Sequence, residues 1–382
     1  MNPMNACVAI LGIGTAVPNN RINQADTARR LVDGLSDKPD SARWARRIFK
    51  QCGVETRYTC EPNLLAEAAD CRYLPKASDL DAPSTAERMG LYKKESIPLS
   101  LLAARQALAD SEVNASDITH LITVSCTGQF LPGIDAALVK ALELSPRVTR
   151  IPLQFLGCAA GLKAVGFARQ IVSANNSANV LIVCVELCTL HIQPSGDREA
   201  LFAASFFGDG ASACVVGSAG SQHKDIFQLG GDHSVLLPDC ADAMVWEVGN
   251  HGFDLYLSPD IPKLIGATIP DEVERLCGKR IPDLWAIHPG GKGIIDTLQH
   301  KFQLTDEQTA PSLGILRDYG NMSSATILFV LNRMRTRLRE SGSESAEGIA
   351  LAFGPGLTAE LIEFAYIPAV SKQEQQSDEV YV

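Results

Sequence analysis

The sequence predicts an α/β protein built from two similar halves. Short buried strands alternate with helical segments along the chain, and the second half repeats the strand and helix pattern of the first. At 382 residues, the chain exceeds the size at which one hydrophobic core usually stops growing. We therefore expect one unit over residues 1–220 and a second over 221–370, followed by a polar, non-periodic tail at 371–382 that we expect to be frayed.

The first half alternates strands and helices in the order that this class requires. Asn23 is suited to cap the first helix, because its side-chain oxygen can accept a hydrogen bond from an N–H of the first turn. The predicted elements are a strand at 8–13, helices at 23–35, 41–50 and 98–110, a strand at 120–125 and a helix at 134–142.

The helix predicted at 41–50 carries four basic residues at spacings of three and four. Arg43, Arg46, Arg47 and Lys50 therefore form a cationic face. Such a face is usually only solvated, and the functional alternative is a contact with the phosphates of a nucleotide-tailed substrate. Arg47 and Lys50 are our candidates for that contact.

Cys158 is the candidate nucleophile. It lies in the segment Phe-Leu-Gly-Cys-Ala-Ala-Gly at 155–161, between a strand and a helix predicted at 159–173. The free N–H groups and positive dipole end of that helix favour a thiolate and so lower the pKa of the thiol. The flanking glycines and alanines leave room for a substrate, which a purely structural thiol does not require.

His288 and Asn321 are the candidate partners of this thiol. His288 precedes Pro-Gly-Gly, and Asn321 follows Gly320. Each has a structural alternative, because His288 could be a turn residue and Asn321 a helix cap. The combination of Cys, His and Asn beside apolar runs nevertheless indicates covalent acyl chemistry. The surrounding predicted elements are strands at 180–185, 211–217 and 284–288 and a long helix at 324–339.

Composition argues against several other classes of function. Hydrophobic residues make up 46% and charged residues 20%, as in soluble globular proteins, and a net charge of −10 argues against nucleic acid as a partner. The N-terminus lacks the basic start of a secretory signal, and no uninterrupted apolar run reaches about 18 residues, so we expect a cytosolic protein without a membrane span. The eleven cysteines fit reduced thiols better than a disulfide framework.

Two weaker patterns are rejected. Cys184, Cys188 and His191 have spacings that suggest a metal site, but they supply only three local ligands and Cys184 lies in an apolar strand. The segment at 12–14 begins like a dinucleotide fingerprint, but Pro18 stands where the third glycine and the helix belong. We therefore expect neither a metal nor a nucleotide cofactor.

Six motifs, in their order and spacing, resemble those of the type III polyketide synthases, the chalcone synthase-like branch of the thiolase-fold condensing enzymes. The likeness spans nearly the whole chain and points to a bacterial-type member. It implies a thiolase-like fold with two pseudo-repeated halves in a five-layer αβαβα arrangement, and a homodimer. The motifs are Cys126-Thr127-Gly128 with Leu131-Pro132-Gly133, Gly157-Cys158, Phe206-Phe207-Gly208-Asp209-Gly210, His288-Pro289-Gly290-Gly291, Gly320-Asn321-Met322-Ser323-Ser324 and Phe353-Gly354-Pro355-Gly356.

The resemblance also assigns roles to single residues. It implies Cys158 as the acyl-carrying nucleophile with His288 and Asn321 as its partners, and Phe207 as the gate between a CoA tunnel and the cavity. Leu255 stands where the family often has a second gating Phe, which is a departure. The implied cavity-shaping residues are Cys126, Thr127, Cys188, Trp246 and Ser323, and Leu131 is implied to reach into the site of the neighbouring subunit.

The implied reaction is the iterative decarboxylative Claisen condensation of malonyl-CoA onto an acyl-CoA starter. Because Leu255 replaces an aromatic gate, we expect a fatty acyl starter and an alkylpyrone or alkylresorcinol product. CoA thioesters are substrates, and no cofactor is implied. As a hypothesis, Cys158 and His288 form a thiolate–imidazolium pair, the backbone N–H of Cys158 binds the oxyanion, and His288 and Asn321 bind the enolate oxygen.

Three alternatives stay open at this point. Ketoacyl synthase III shares the triad and would perform a single condensation, although its histidine is normally followed by Gln-Ala-Asn. A thioester hydrolase could also use Cys, His and Asn. A non-catalytic homologue that binds acyl-CoA would leave Cys158 no more reactive than an ordinary thiol.

Overall fold

The computed structural model describes residues 7–75, 81–220 and 222–369, so the predicted tail at 371–382 lies outside the described residues. The described chain is an α/β protein, which confirms the predicted class. Its strands are β1 Cys7–Ala16, β2 Asn20–Asn23, β3 Thr56–Thr59, β4 His120–Ser125, β5 Thr149–Gln154, β6 Val180–Leu187, β7 Asp209–Ala219, β8 Ile226–Leu236, β9 Met244–Gly249, β10 Gly252–Leu257, β11 Leu284–Ile287, β12 Ala346–Gly354 and β13 Thr358–Ile367. Its helices are α1 Gln24–Gly34, α2 Pro39–Gln51, α3 Thr85–Ser111, α4 Ile134–Ala141, α5 Ala160–Ala174, α6 Arg198–Phe206, α7 Ile261–Cys277, α8 Lys292–Phe302, α9 Asp306–Tyr319 and α10 Thr326–Ser341.

Nine strands form a continuous mixed sheet in the order β11-β12-β13-β8-β1-β7-β6-β4-β5. Its two parts repeat one pairing pattern. In the first part β1 is antiparallel to β7, β7 to β6, and β6 runs parallel to β4. In the second part β8 is antiparallel to β13, β13 to β12, and β12 runs parallel to β11. This repeat agrees with two pseudo-repeated halves, although the residue boundary between them stays a prediction.

The sequence predicted several elements closely and missed others. The strand at 120–125 is observed at those residues as β4, and Asn23 caps α1 by accepting hydrogen bonds from the N–H groups of Ala25 and Asp26. The helix predicted to start at 98 instead starts at Thr85, because Ser84 and Glu87 form a capping box and Pro98 is accommodated inside the helix. The missed helices include α7 and α9, which each contain an internal proline that obscures the helical pattern.

The long helix α3 packs directly on β1 through two glycines. A Cβ atom on Gly12 would overlap the backbone of Ser111, and one on Gly14 would overlap the carbonyl oxygen of Ala103. These glycines, rejected above as a nucleotide fingerprint, therefore serve helix packing on the sheet. Their close contact keeps β1 at the middle of the sheet under a buried helix.

We predict that Gly14→Ala lowers the free energy of unfolding by about 2 kcal/mol, because the added methyl group overpacks a rigid backbone contact. Urea unfolding followed by circular dichroism measures the change. Gly90→Ala is the matched control, because Gly90 is exposed in α3 and a Cβ atom there would meet no other atom within 4 Å, and we expect it to raise stability by about 0.5–1 kcal/mol. Equal unfolding midpoints for Gly14→Ala and wild type would contradict this account of the packing.

Candidate active site

The structure brings Cys158, His288 and Asn321 together in one pocket of about 110 Å³. Cys158 lies in a 3-10 turn, Gly157–Ala159, that follows β5 and leads into α5. His288 follows β11, and Asn321 follows α9. The pocket is lined by Cys126, Phe155, Gly157, Cys158, Phe207, Met244, Trp246, Leu255, Leu257, His288, Gly290, Ile294, Asn321, Ser323, Phe353 and Pro355.

The glycines beside Cys158 serve close packing and do not leave room for a substrate, which corrects the sequence interpretation. Gly157 has a φ of +64°, and a Cβ atom there would overlap the ring of Pro355. A Cβ atom on Gly161 would overlap the carbonyl oxygen of Ser324. The nucleophile turn is therefore pressed between two segments from the second half of the chain. The helix α5 also begins at Ala160 and not at 159, so Cys158 lies inside the preceding turn.

The side chain of Asn321 is oriented by its own loop. The N–H of Ser323 donates to Asn321 Oδ1 at 2.8 Å, which identifies this atom as the oxygen of the amide. Cys158 Sγ lies 3.9 Å from the amide nitrogen Nδ2 and 4.0 Å from Oδ1, so Nδ2 is a donor within reach of the sulfur. Ser323 has a φ of +46°, a left-handed conformation that costs about 1–2 kcal/mol in a non-glycine residue. This strained conformation of Ser323 places its N–H where it donates to the side chain of Asn321.

His288 has free hydrogen-bonding capacity inside the pocket. Its backbone N–H donates to the carbonyl of Leu351 at 2.8 Å, so the strand edge fixes its position. The side chain is fully buried, and neither Nδ1 nor Nε2 has a hydrogen-bond partner among the described residues. A buried polar atom without a partner is costly, so it indicates that a ligand completes the site.

Burial opposes the charged forms of both reactive groups. It raises the pKa of the Cys158 thiol to about 11, against smaller lowering effects of hydrogen bonds from Ser323 and Asn321. It lowers the pKa of His288 to about 3. Burial therefore favours a neutral thiol and a neutral imidazole in this pocket, which differs from the thiolate–imidazolium pair that the sequence led us to expect. The sequence predicted the effect of the helix dipole on the thiol, but it could not predict how strongly the surrounding residues exclude water from the pocket.

A buried carboxylate behind the pocket was missed by sequence reasoning. Glu186 is fully buried in β6 and accepts hydrogen bonds from the hydroxyls of Thr127, at 2.7 Å, and Ser324, and from the backbone N–H of Cys126, at 3.1 Å. Burial raises its pKa despite these donors. The signal was present in the sequence, because Glu186 is the single charged residue in the apolar run 180–187.

The predicted cavity residues are divided among different places. Cys126, Phe207, Trp246, Leu255 and Ser323 line the catalytic pocket, with Cys126 Sγ 3.1 Å from Ser323 Oγ. Phe207 and Leu255, the two predicted gating positions, differ in reach. Two further cavities adjoin the catalytic pocket: a second chamber of about 320 Å³ and an outer passage of about 590 Å³. Phe207 lines the second chamber but not the outer passage, whereas Leu255 lines both.

Three of the predicted residues lie outside the catalytic pocket. Thr127 is fully buried, and its hydroxyl is bound to Glu186, so it supports the loop and does not line the pocket. Cys188 lines the second chamber. Leu131 is 85% exposed on the surface.

An outer passage of about 590 Å³ leads to the catalytic pocket. The two cavities share Met244, Leu255, Leu257, Gly290 and Ile294. The basic side chains that line the outer passage are Arg198 and Lys292. The sequence analysis missed both because they come from distant segments of the chain. Arg47 and Lys50 do not line this passage, although other residues of α2 do, and Lys50 instead lines a groove between α1 and α2.

Comparison with known proteins identifies the family of the chain. Residues 3–220 match the N-terminal domain, and residues 228–368 the C-terminal domain, of the chalcone and stilbene synthases. The chain belongs to this family. Family membership makes it a type III polyketide synthase, an acyltransferase and condensing enzyme with an α/β thiolase-like fold, which confirms the resemblance found in its motifs.

Several relatives resemble the chain over almost its full length. It is 32% identical over 373 residues to the "alpha-pyrone synthesis polyketide synthase-like Pks18" of Mycobacterium tuberculosis, covering 96% of this chain and 93% of that protein. It is 30% identical to "probable polyketide synthase 1" of Dictyostelium discoideum, covering 92% of this chain and 11% of that much longer protein.

Solved structures show the same fold. The crystal structure of PKS-I from the brown alga Ectocarpus siliculosus has a TM-score of 0.85 and 28% identity, covering 96% of this chain and all of that one. The C-terminal type III polyketide synthase domain of Steely1 from Dictyostelium has a TM-score of 0.84 and 28% identity, covering 94% of this chain and 99% of that one. Among the described residues, no helix has the length and apolar character needed to cross a membrane.

We predict that acid destabilises the fold through His191, which packs behind the catalytic pocket. Its Nε2–H donates to the carbonyl of Thr127, its Nδ1 accepts from the N–H of Phe253, and burial lowers its pKa to about 3. The unfolded chain takes up this proton near pH 6.5, so the stability contributed by neutral His191 is present above pH 6.5 and is lost as pH falls towards 3.

The measurement is the free energy of unfolding at pH 7.5, 6.5 and 5.5. We expect His191→Gln to reduce the loss on acidification by about 1.4 kcal/mol per pH unit below 6.5 relative to wild type. His300→Gln is the control, because His300 is exposed, and it should keep the wild-type slope. The same pH slope in all three proteins would rule out this role for His191.

Proposed function

We propose that this type III polyketide synthase loads an aliphatic acyl group from CoA onto Cys158, extends it with malonyl-CoA, and releases an alkylpyrone or alkylresorcinol. The observation that carries the proposal is the single pocket that Cys158, Asn321 and the unpartnered His288 line together, with Asn321 Nδ2 3.9 Å from Cys158 Sγ. The aliphatic starter is supported by apolar Leu255 at the junction of pocket and passage, and by the relative whose name describes alpha-pyrone synthesis.

The first step is acyl transfer to Cys158. Neutral His288 accepts the proton from Sγ as the sulfur attacks the thioester carbonyl, and the negative charge that develops at the carbonyl offsets the burial that lowers the pKa of His288 to about 3. The backbone N–H of Cys158, at the start of the turn into α5, is the proposed donor to the oxyanion. The C–S bond to CoA then breaks, the CoA thiolate takes the proton that His288 accepted from Sγ, and the acyl group remains on Sγ.

The second step is decarboxylation and condensation. Malonyl-CoA loses CO2, and the electron pair of the broken C–C bond becomes the enolate of acetyl-CoA. Asn321 Nδ2 and the ring N–H of neutral His288 are the proposed donors to the enolate oxygen, because both carry free donor capacity in the pocket. The enolate carbon attacks the acyl-Cys158 carbonyl, so a C–C bond forms, the C–S bond breaks, and the chain grows by two carbons.

The outer passage is the proposed route for CoA. Arg198 and Lys292 are the proposed phosphate contacts at its walls, where Lys292 is ion-paired with Asp296 at 2.6 Å and Glu199 is also a lining residue. Arg47 and Lys50 remain proposed phosphate contacts. They lie on α2, whose residues Trp44 and Ile48 line the passage.

We also propose that the enzyme acts as a homodimer, with Leu131 at the contact. Leu131 is 85% exposed in the single chain, which is costly for a leucine beside the start of α4. The edge strand β5 precedes Cys158 and has exposed residues at Thr149, Arg150 and Pro152, so a partner could cover both features.

Two substitutions separate the catalytic roles. Cys158→Ala should form no acyl-enzyme from labelled starter and no product, but should keep part of the malonyl-CoA decarboxylation. Asn321→Ala should still be acylated while decarboxylation falls by about 10²–10³, the effect expected for one lost oxyanion-type donor. Intact-protein mass spectrometry and release of labelled CO2 measure the two steps, and products from defined starters are identified by mass.

Cys277→Ala is the matched control, because it makes the same chemical change in the buried end of α7. It should behave as wild type. Equal acylation of wild type and Cys158→Ala would remove Cys158 as the nucleophile. Consumption of acyl-CoA by wild type with no use of malonyl-CoA would establish a thioester hydrolase instead.

For the dimer, we predict that Leu131→Asp shifts the sedimentation coefficient to that of a monomer at micromolar concentration. The reason is that a charge at the centre of an apolar contact lacks a partner and costs several kcal/mol. Ile281→Asp is the control, because Ile281 is a 62% exposed apolar residue before β11, the strand at the opposite edge of the sheet, and it should sediment as wild type. A monomeric wild type would refute the dimer.

A further inference from the structure

Arg57 is a fully buried cation that the proposed reaction does not use. It lies in β3, with its guanidinium 6.0 Å from the centre of the Phe49 ring of α2. Burial lowers its pKa to about 10, so the group stays charged at neutral pH. Nη1 donates to the carbonyl of Phe207 at 2.6 Å, whereas neither Nε nor Nη2 has a hydrogen-bond partner among the described residues. A buried charge with so few partners is costly, which indicates a role beyond packing.

The peptide unit that Arg57 binds also holds Asn321. The carbonyl of this unit belongs to Phe207 and accepts from the guanidinium, and its N–H belongs to Gly208 and donates to the carbonyl of Asn321 at 3.0 Å. The N–H of Asn321 in turn donates to the carbonyl of Phe206 at 2.8 Å, which completes a short parallel bridge. A charge at one end of a hydrogen-bonded chain polarises the peptide between, so Arg57 strengthens the bond that fixes the main chain of Asn321.

Two glycines let the side chain of Arg57 lie against both segments of this bridge. Gly208 follows Phe207, and a Cβ atom there would lie 3.2 Å from the Cβ of Arg57. Gly320 precedes Asn321 and has a φ of +70°, and a Cβ atom there would lie 3.5 Å from the same atom. The buried arginine therefore packs at the point where the two segments meet.

The strand β3, which carries the guanidinium, is also attached to the end of α9. The hydroxyl of Thr56 donates to the carbonyl of Asp318 at 2.9 Å. The ring of Tyr58 stacks on that of Tyr319 with a centroid distance of 5.7 Å. A change in the packing of β3 is therefore transmitted to the residues that lead directly into Asn321.

We propose that Arg57 is a positioning residue for decarboxylation, which acts through the peptide unit 207–208 to hold Asn321 where its Nδ2 meets the enolate oxygen. This inference rests on the proposed function, because it concerns the step assigned to Asn321. Acyl transfer depends on other elements, since Cys158 lies in the turn before α5 and His288 follows β11. Loss of the guanidinium should therefore affect decarboxylation more than acylation.

The first test measures both steps in wild type and Arg57→Met, with acylation followed by intact mass and decarboxylation by release of labelled CO2. Arg57→Met keeps an unbranched side chain in the buried site but removes its charge and its donors. The decarboxylation rate should fall about tenfold or more, because a displaced donor no longer meets the enolate, while the acylation rate stays within about threefold of wild type. An unchanged decarboxylation rate, or equal losses in the two steps, overturns the role of Arg57.

Two further substitutions separate charge from packing. Arg57→Lys keeps a cation that can donate one hydrogen bond, as the arginine does here, so it should decarboxylate within about threefold of wild type. Arg57→Gln keeps a polar side chain without the charge and should show the same selective loss as Arg57→Met, which makes it the test variant if Arg57→Met does not fold. Equal decarboxylation by Arg57→Lys and the uncharged variant overturns the role of the charge.

Arg88→Met is the matched control. Arg88 is also fully buried, has an unpartnered Nη2 and binds main-chain carbonyls, those of Leu190 and Ile192, but it does not line the catalytic pocket. The substitution removes the same chemical groups, so any change in rate should be equal in the two steps. A selective loss of decarboxylation in Arg88→Met would show that removing any buried arginine has this effect, and it would overturn the assignment.

The double variant Arg57→Met/Asn321→Ala tests the route through Asn321. If Arg57 acts through this residue, the double variant should decarboxylate within about twofold of Asn321→Ala alone, and a further loss of about tenfold would overturn the route. Wild-type decarboxylation by Asn321→Ala would defeat the proposed function itself. A loss in Asn321→Ala with none in Arg57→Met would defeat the positioning role alone.

Discussion

The catalytic centre depends on close backbone contact between the two halves of the chain. Asn321 donates its N–H to the carbonyl of Phe206 and accepts from the N–H of Gly208, so its loop is bonded to the segment that carries Phe207. Gly161 in α5 allows the carbonyl of Ser324 to approach the helix that begins beside Cys158. The positions of Cys158 and Asn321 are therefore fixed by contacts of the main chain, which leaves their side chains little freedom relative to one another.

The same contact places a buried carboxylate between the halves. Glu186 would be costly in an apolar core, but it receives hydrogen bonds from the loop after β4 and from Ser324 beside the asparagine loop. Its donors are thus drawn from both halves, and satisfying it requires both loops to keep their shape. His288, by comparison, has no such partner among the described residues. The Glu186 carboxylate is therefore satisfied by hydrogen bonds within the protein, whereas the His288 imidazole keeps its hydrogen-bonding capacity for a ligand.

The grouping of Cys158, His288 and Asn321 in one pocket could be predicted from the sequence, because each lies in a short motif near the end of a strand or helix. Local patterns also predicted β4, the cap of α1 and the α/β class. The cavities could not be predicted in this way, since they depend on which distant segments meet. Thr127 is adjacent to Cys126 in the chain yet turns into the Glu186 network, and Arg198 and Lys292 reach the passage from α6 and α8.

The charge state of the site shows most clearly what sequence reasoning lacks. A helix N-terminus beside a cysteine favours a thiolate, and that argument holds for the isolated element. In the folded chain, Phe207, Phe353 and Pro355 close around the sulfur, and desolvation outweighs the dipole, so the pKa of Cys158 rises to about 11. A thiol that burial keeps neutral reacts slowly with electrophiles, because the thiolate is the reactive form. In the acyl transfer that we propose, the negative charge that develops at the thioester carbonyl stabilises an imidazolium at His288, so the packing that keeps the thiol neutral also makes its reactivity depend on the substrate.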